Sequence, residues 1–475
     1  MRGFAKLLKT IGLASLTLVG QSHERAASAP APKDVSVPAP KGAALSTDYT
    51  VRVNGQDVAV YSAPVWYPDY VKPFGGPYSF ASFDFDGRAT VEITTAKPLD
   101  RAAVLPESRR IHPAVSGRTL SFTLSKPGPL SVEPEGKTGP LLLFANPPER
   151  GAPGPTDSKV RYYGPGVHEA GGIELHDGET LYLAAGAVVY GGVHASGRSI
   201  RIRGRGILDG GRWERFKGPG NQLLSLDRCE NVSVEGIILK DSWSWVFGVT
   251  GSRNVRIQNV KVCSSRCENN DGIDIVNSSR VTITDSFIRS DDDCIATKGM
   301  GEQRGAPPYP PVEDLRVERC ALWTDRAHVW RLGGESRASA MRRLTFRDID
   351  VLHYTDPTCP LINIQPAEGM LMEDVRFERI RVHHEGQSQF IRLDPHPTAW
   401  AKSPTPGILR NVVFQDVSLD GQRDGQPGSI VVYGADAAHP IDGVVFRRVI
   451  RHGTKLQPDS EAIEVSGEVK NLRFE

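Results

Sequence analysis

The densest set of chemistry-bearing residues in the chain is Glu268-Asn269-Asn270-Asp271-Gly272-Ile273-Asp274, followed by Ser290-Asp291-Asp292-Asp293-Cys294. Asp271 lies 21 residues before Asp292 and 22 before Asp293. If that interval is one coil of a stacked β-structure, the carboxylates sit on neighbouring rungs about 4.8 Å apart and project from one face. Crowding then raises at least one of their pKa values, leaving a protonated acid beside ionised ones near neutral pH. A neutral carboxyl for a leaving oxygen and an ionised one for a water is what glycoside hydrolysis requires. Two other readings of the same residue types stay open: a Ca²⁺ site, since carboxylates with Asn suit a hard cation, and turn-forming aspartates on solvent loops.

The elements that must hold such residues are legible as a repeat. Segments of apolar-x-apolar form recur as ENVSVEGIIL at 230, NVRIQNVKV at 254, RVTITDSFI at 280, DLRVERCAL at 314, RLTFRDIDV at 343, DVRFERIRV at 374, NVVFQDVSL at 411 and GVVFRRVI at 443. Aligned positions are 23, 26, 34, 29, 31, 37 and 32 residues apart. A minimum near 23 with variable additions is what a solenoid gives when loops lengthen on one side of the coil. Val232, Val234, Val255, Ile257, Val281 and Ile283 alternate at period two, so the repeating unit is a strand. The expected fold class is all-β, with a right-handed parallel β-helix over 156–475; an ordinary β-sandwich does not explain a repeat in register over eight segments. Earlier coils are visible at ETLYLAAGAVVYGGV and RSIRIRGRGILDG.

Upstream the grammar differs. Between 47 and 155, short alternating segments such as TVRVNG, FASFDFDG and RTLSFTLS predict an antiparallel β-sandwich, placed to cover an exposed end of the stack. Residues 1–29 carry Arg2, Lys6 and Lys9 before an apolar stretch too short to span a bilayer, then small residues, the order of a secretory signal peptide. Residues 30–46 read as a Pro-rich, solvated linker. Length alone would suggest about three domains. The 57 basic and 56 acidic residues nearly cancel, which removes the electrostatic footprint of a nucleic-acid binder. The 48 Gly and 35 Pro, roughly a sixth of the chain, weigh against a helical bundle. Six cysteines in an exported chain allow up to three disulfides, or six free buried thiols.

Three blocks carry a family resemblance: NNDG at Asn269 to Gly272, DDC at Asp292 to Cys294, and His328 one long coil further on. Together they resemble the polygalacturonases, glycoside hydrolase family 28, over about residues 160–400. The sandwich followed by YYGPGVHEAGGIELHDGETLYLAAGAVVYGGV is more similar to the dextranase and isopullulanase family, glycoside hydrolase family 49. Both families are inverting hydrolases on right-handed β-helices. The resemblance implies that Asp292 is the general acid, that Asp271 and Asp293 hold and deprotonate the attacking water, and that His328 assists; Asp291 has no family counterpart. His328 sits in RAHVWRLGG rather than a Gly-His-Gly block, and where the family has an Arg-x-Lys pair gripping the sugar carboxylate this chain has Asn363 and Gln365. A neutral or differently decorated glycan follows from that loss of charge. Asn269, Lys298, Arg331, Gln365, Arg392 and Trp243 are the expected substrate contacts, with Trp245, Trp323, Trp330 and Tyr354 as further aromatic candidates for sugar stacking.

The expectation is therefore a secreted or periplasmic, monomeric hydrolase of a polysaccharide or oligosaccharide, acting by inversion. It needs no catalytic cofactor and no metal, and neither nucleic acid nor a membrane is its partner. Inversion predicts acid and base carboxyls about 6.5–9.5 Å apart. A Ca²⁺-dependent polysaccharide lyase or uronate epimerase, a dextranase-like α-glucan hydrolase and a non-catalytic glycan-binding solenoid are the competing readings.

Overall fold

The computed structural model describes residues 37–66, 76–301, 308–354, 356, 358–383, 389–420 and 429–475. The expected signal peptide and the first part of the linker lie outside them. Among the described residues there is no α-helix, and no helix is long and apolar enough to cross a membrane.

A single 30-stranded sheet, wound on itself as a right-handed parallel β-helix, runs from Val160 to Phe474. Its rungs interlock through the alternation seen in the sequence: Val232 and Val234 pair in register with Val255 and Ile257, then Val281 and Ile283, then Leu315 and Val317. All eight side chains are buried and fill the axis. Towards the C-terminus the filling becomes aromatic, with Phe346, Phe377, Phe414, Phe446 and Phe474 stacked at centroid spacings of 4.7, 5.2, 5.2 and 5.4 Å. Ring offset stacking suits a fold that repeats one position every rung.

The aligned positions of the repeat have a backbone cause. Asn231, Asn254, Arg280, Asp314, Arg343, Asp374 and Asn411 all have φ between 52° and 59°, and Gly443 has 77°. A tight bend at this point of each coil needs a left-handed residue, which Asn, Asp and Gly tolerate best. A second such column, Asn259, Asp285, Arg319, Asp348, Arg379, Asp416 and Arg448, turns the chain between the next two faces. From Ala340–Tyr354 onwards this second bend is taken inside one long strand, as in Leu371–Val382 and Ile408–Leu419. Neighbouring rungs are pinned along both columns by pairs such as Arg343–Asp314, Arg319–Asp285, Arg379–Asp348 and Arg448–Asp416.

Two five-stranded sheets form the N-terminal sandwich. It is antiparallel except where Leu141–Asn146 runs parallel to Tyr78–Asp84, while on its other side that strand pairs antiparallel with Gly128–Lys137. The sandwich does not cover an end of the stack. Tyr78, Phe80, Leu142 and Phe144 pack against Ile238, Cys263, Phe287 and Trp323, which project sideways from successive rungs, so it docks along the flank. Apolar surface on that flank face explains the choice, and an Arg205–Asp84 ion pair and a His353–Glu133 hydrogen bond join the two across it. The linker reading is corrected at its C-terminal end: Leu45 bridges to Tyr61, and the Ser46 amide donates to the Val60 carbonyl, so these residues are part of the sandwich. All six cysteines are free, five of them buried, which replaces the disulfide alternative.

Candidate active site

One face of the β-helix is built from Phe247–Thr250, Ile273–Val276, Ile295–Met300, Trp330–Arg337, Ile362–Gln365 and Gln389–Leu393, paired in that order. The acids lie just before its strands. The Gly272 amide donates to the Asp293 carbonyl and the Cys294 amide to the His328 carbonyl, so Asp271, Asp293 and His328 occupy successive rungs. Gly272 makes the approach possible, since a Cβ there would lie 2.4 Å from the Cys294 carbonyl oxygen. Asn270 pins the loop: its amide donates to the carbonyls of Ser242 and Ser244 and its Oδ1 accepts from the Ser264 hydroxyl and the Arg266 amide.

Asp271, Asp292 and Asp293 each place an oxygen within 4.8 Å of the others. These nearest oxygens lie closer together than the roughly 6.5–9.5 Å expected between the acid and base carboxyls of an inverting site. With Trp245, Asn269, Lys298, His328, Arg331, Glu335 and Trp400 they line a pocket of about 260 Å³.

The three carboxyls have been driven apart in chemistry. Burial pushes Asp271 well up, with Asp274, Asp292 and Asp293 adding repulsion against the pull of Lys298. Burial and then the Asp293 charge raise Asp292, opposed by Arg326. Asp293 is buried as well, but His328 overrides burial: Nδ1 lies 2.7 Å from Oδ1 and the His328 amide donates to the same oxygen, holding Asp293 down at about 2. Asp292 therefore holds its proton more tightly than Asp293 does. Asn363 contacts the other side of the ring, 3.1 Å from Nε2, and so fixes its orientation. Lys298 reaches Asp271 at 2.7 Å and Asp274 at 2.8 Å, with its ammonium 3.8 Å from the Trp245 ring centroid. Burial disfavours that ammonium, but the two carboxylates hold its pKa well above the usual value. Three convergent carboxyls are also the start of a cation site, but Lys298 and Arg326 already bring positive charge to Asp271 and Asp292.

Of the expected site residues, the structure brings together Asp271, Asp292, Asp293, His328, Asn269, Lys298 and Arg331. Three do not join them. Trp243 is fully buried, packed against Trp213, with its indole N–H donated to the Gly220 carbonyl. Gln365 donates to the His396 carbonyl, and Arg392 is held by Asp394 at 2.6 Å on a later rung. Trp323, Trp330 and Tyr354 are core residues with no exposure. Arg331 differs from every other cation of the pocket: no ion pair engages it among the described residues. Sequence reasoning missed Glu335, Trp400 and Arg326. Trp400, 69% exposed at the mouth of the pocket, arrives on the loop after Gln389–Leu393, whose length carries no repeat signal. Arg326 precedes His328 by two residues and faces the preceding rung, a relation visible only once the coils are aligned.

Among the described residues three larger concavities, of about 400, 440 and 440 Å³, hold no comparable set. In the first, Asp285, Asp348 and Asp350 are each paired with an arginine.

Comparison with known proteins agrees with this geometry. The family described as "Glycosyl hydrolases family 28" matches residues 193–303, which include Asp271, Asp292 and Asp293. A probable polygalacturonase of Vitis vinifera is 29% identical over 129 residues, 26% of each chain. Probable exopolygalacturonase B of Emericella nidulans is 24% identical over 269 residues, 50% of this chain and 56% of its own. The chain therefore spans about a quarter and about half of the length of these two relatives. Among solved structures, Dex49A from Penicillium minioluteum superposes with a TM-score of 0.59 at 14% identity, covering 91% of this chain and 96% of its own, a likeness of fold.

Proposed function

We propose that the protein is an exported O-glycosyl hydrolase that cleaves a polysaccharide or oligosaccharide with machinery like that of the polygalacturonases. The observation that carries the reading is the divided protonation of three converging carboxyls: Asp292 raised, Asp293 held at about 2 by His328. Asp292 donates a proton to the leaving glycosidic oxygen, while Asp293 accepts the proton of a water that Asp271 helps to orient. Export rests on the charged, apolar, small-residue order of the N-terminus.

Single displacement with inversion is the proposed course, on grounds of engagement rather than distance. Asp271 is tied to Lys298 and Asp293 to His328, so neither is an unencumbered nucleophile. The lyase reading needs a neutral base, whereas Lys298 is held as an ammonium between two carboxylates.

Arg331 is the group available for a substrate anion or hydroxyl. Asn363, on the next rung in register with Arg331, is committed to His328. The test is a panel that includes polygalacturonic acid, neutral α-glucans and decorated pectins, followed by ¹H NMR. New reducing ends support the reading. An unsaturated product, or binding without cleavage across the panel, rejects it.

A further inference from the structure

Asp291 has no part in the proposed reaction, yet it is a buried carboxylate one residue from the proton donor, 1% exposed. Its partner is Arg326, contributed by the following rung. Arg326 Nε and one terminal nitrogen lie 3.1 and 3.0 Å from Asp291 Oδ2, and the same terminal nitrogen lies 2.8 Å from Asp292 Oδ2. One guanidinium is thus shared between an acid with no substrate contact and the acid at the bond to be cleaved. The rest of Asp292 is pinned too. Its carbonyl accepts from the hydroxyls of Ser290 and Thr324, and its Oδ1 from the Asp293 amide.

A proton donor beside an arginine is a contradiction unless something dilutes that arginine, because a nearby cation favours the ionised carboxylate. Asp291 supplies the dilution: it occupies Nε and shares the terminal nitrogen that reaches Asp292. The other groups that act on Asp292 are Asp271 and Asp293 among the acids, Lys298 and His328 among the bases, and the Cys359 thiol. None of these bridges to it through a hydrogen bond from a charged side chain; Arg326 does.

We propose that Arg326, anchored by Asp291, is the positioning residue of the proton donor: it fixes the Asp292 carboxyl in one orientation, and by being shared it leaves that carboxyl able to keep its proton. This rests on the hydrolase reading for its purpose but not for its test.

The two partners should act in opposite directions, which a merely structural pair would not do. The measurement is the titration of the Asp292 side-chain carboxyl by ¹³C NMR, assigned by its loss in D292N, together with the pH dependence of kcat/KM. R326Q removes the cation, so the titration and the basic limb of the profile move up by about one pH unit. With orientation lost, kcat falls about 10- to 100-fold while KM stays within about threefold. D291N removes the carboxyl that shares Arg326, leaving Nε and the common terminal nitrogen to Asp292, so both move down by about the same amount. R326K restores the charge without the fork: the titration returns towards wild type, and kcat recovers only in part. Should R326Q fail to fold, D291N and R326K carry the comparison.

Shifts of the same sign in R326Q and D291N, or no shift in a folded variant, overturn the proposal. Opposite shifts in a protein that cleaves no glycan would uphold the pair and reject the hydrolase reading.

Discussion

The β-helix uses aspartate and arginine in two places at one rung spacing, with opposite consequences. Along the bends, Asp314, Asp348 and Asp416 each face an arginine of the next rung at 2.5–2.6 Å, half exposed, and the pairing lowers all three carboxyls. Before the strands of the site face, five acids (Asp271, Asp274, Asp291, Asp292 and Asp293) are gathered in the interior, with Lys298, Arg326 and His328 between them. Four of the five are raised. The spacing is common to both places, so burial and the ratio of cations to acids decide which one does chemistry. A solenoid can convert a structural ladder into a reactive one by withholding arginines and covering the acids.

The largest expected break in that contrast is Asp292→Asn, which should lower kcat on the order of 10³-fold with the fold intact, while Asp348→Asn on the ladder leaves activity unchanged. Steady-state kinetics with circular dichroism reads both. Next is His328→Ala. It removes the cation that holds Asp293 at about 2, so Asp293 rises, the acidic limb of the pH profile moves to higher pH, and activity falls about 10²-fold. Arg331→Ala should raise KM about tenfold on uronate-containing glycans and far less on neutral ones, measured side by side.

The stability of the two regions should respond oppositely to pH. Asp274 has its carboxyl raised to about 6, chiefly by burial, so its contribution is full in acid and is lost as pH rises through 6. The ladder carboxylates are lowered, so theirs is present above the ordinary carboxylate range and is lost on acidification. Asp274→Asn should flatten the decline in Tm between pH 3.8 and about 6 and leave the alkaline side of 6 untouched. The smallest effect is a double-mutant cycle on Asp314 and Arg343, whose coupling should stay below about 1 kcal/mol because the pair is exposed and screened.

Much of this was legible in the sequence because the β-helix repeats one position per coil. The aligned residues Asn231, Asn254, Arg280, Asp314, Arg343, Asp374 and Asn411 turned out to be one left-handed column, so the alignment had followed a steric requirement of the bend. The 21- and 22-residue intervals brought Asp271, Asp292 and Asp293 together for the same reason. What escaped was set off the repeat. Trp243 was expected at the sugar but is core, because Gly192 and Gly218 leave room for an indole there, a fit no local pattern announces. Trp400 reaches the pocket from a loop of irregular length, and Glu335 from within Trp330–Arg337 where the register with the preceding rung shifts. The docking of the sandwich along the flank depends on Ile238, Phe287 and Trp323 pointing outward, against the inward alternation that the reading relied on.

The most direct test of the central claim is a ¹H NMR time course of the glycan that the protein cleaves fastest, followed in parallel with wild type and Asp292→Asn. The account expects wild type to release a reducing end whose first-formed anomer is opposite to that of the bond cleaved, and the variant to release it about 10³-fold more slowly. An unsaturated product, or a variant as fast as wild type, would contradict it.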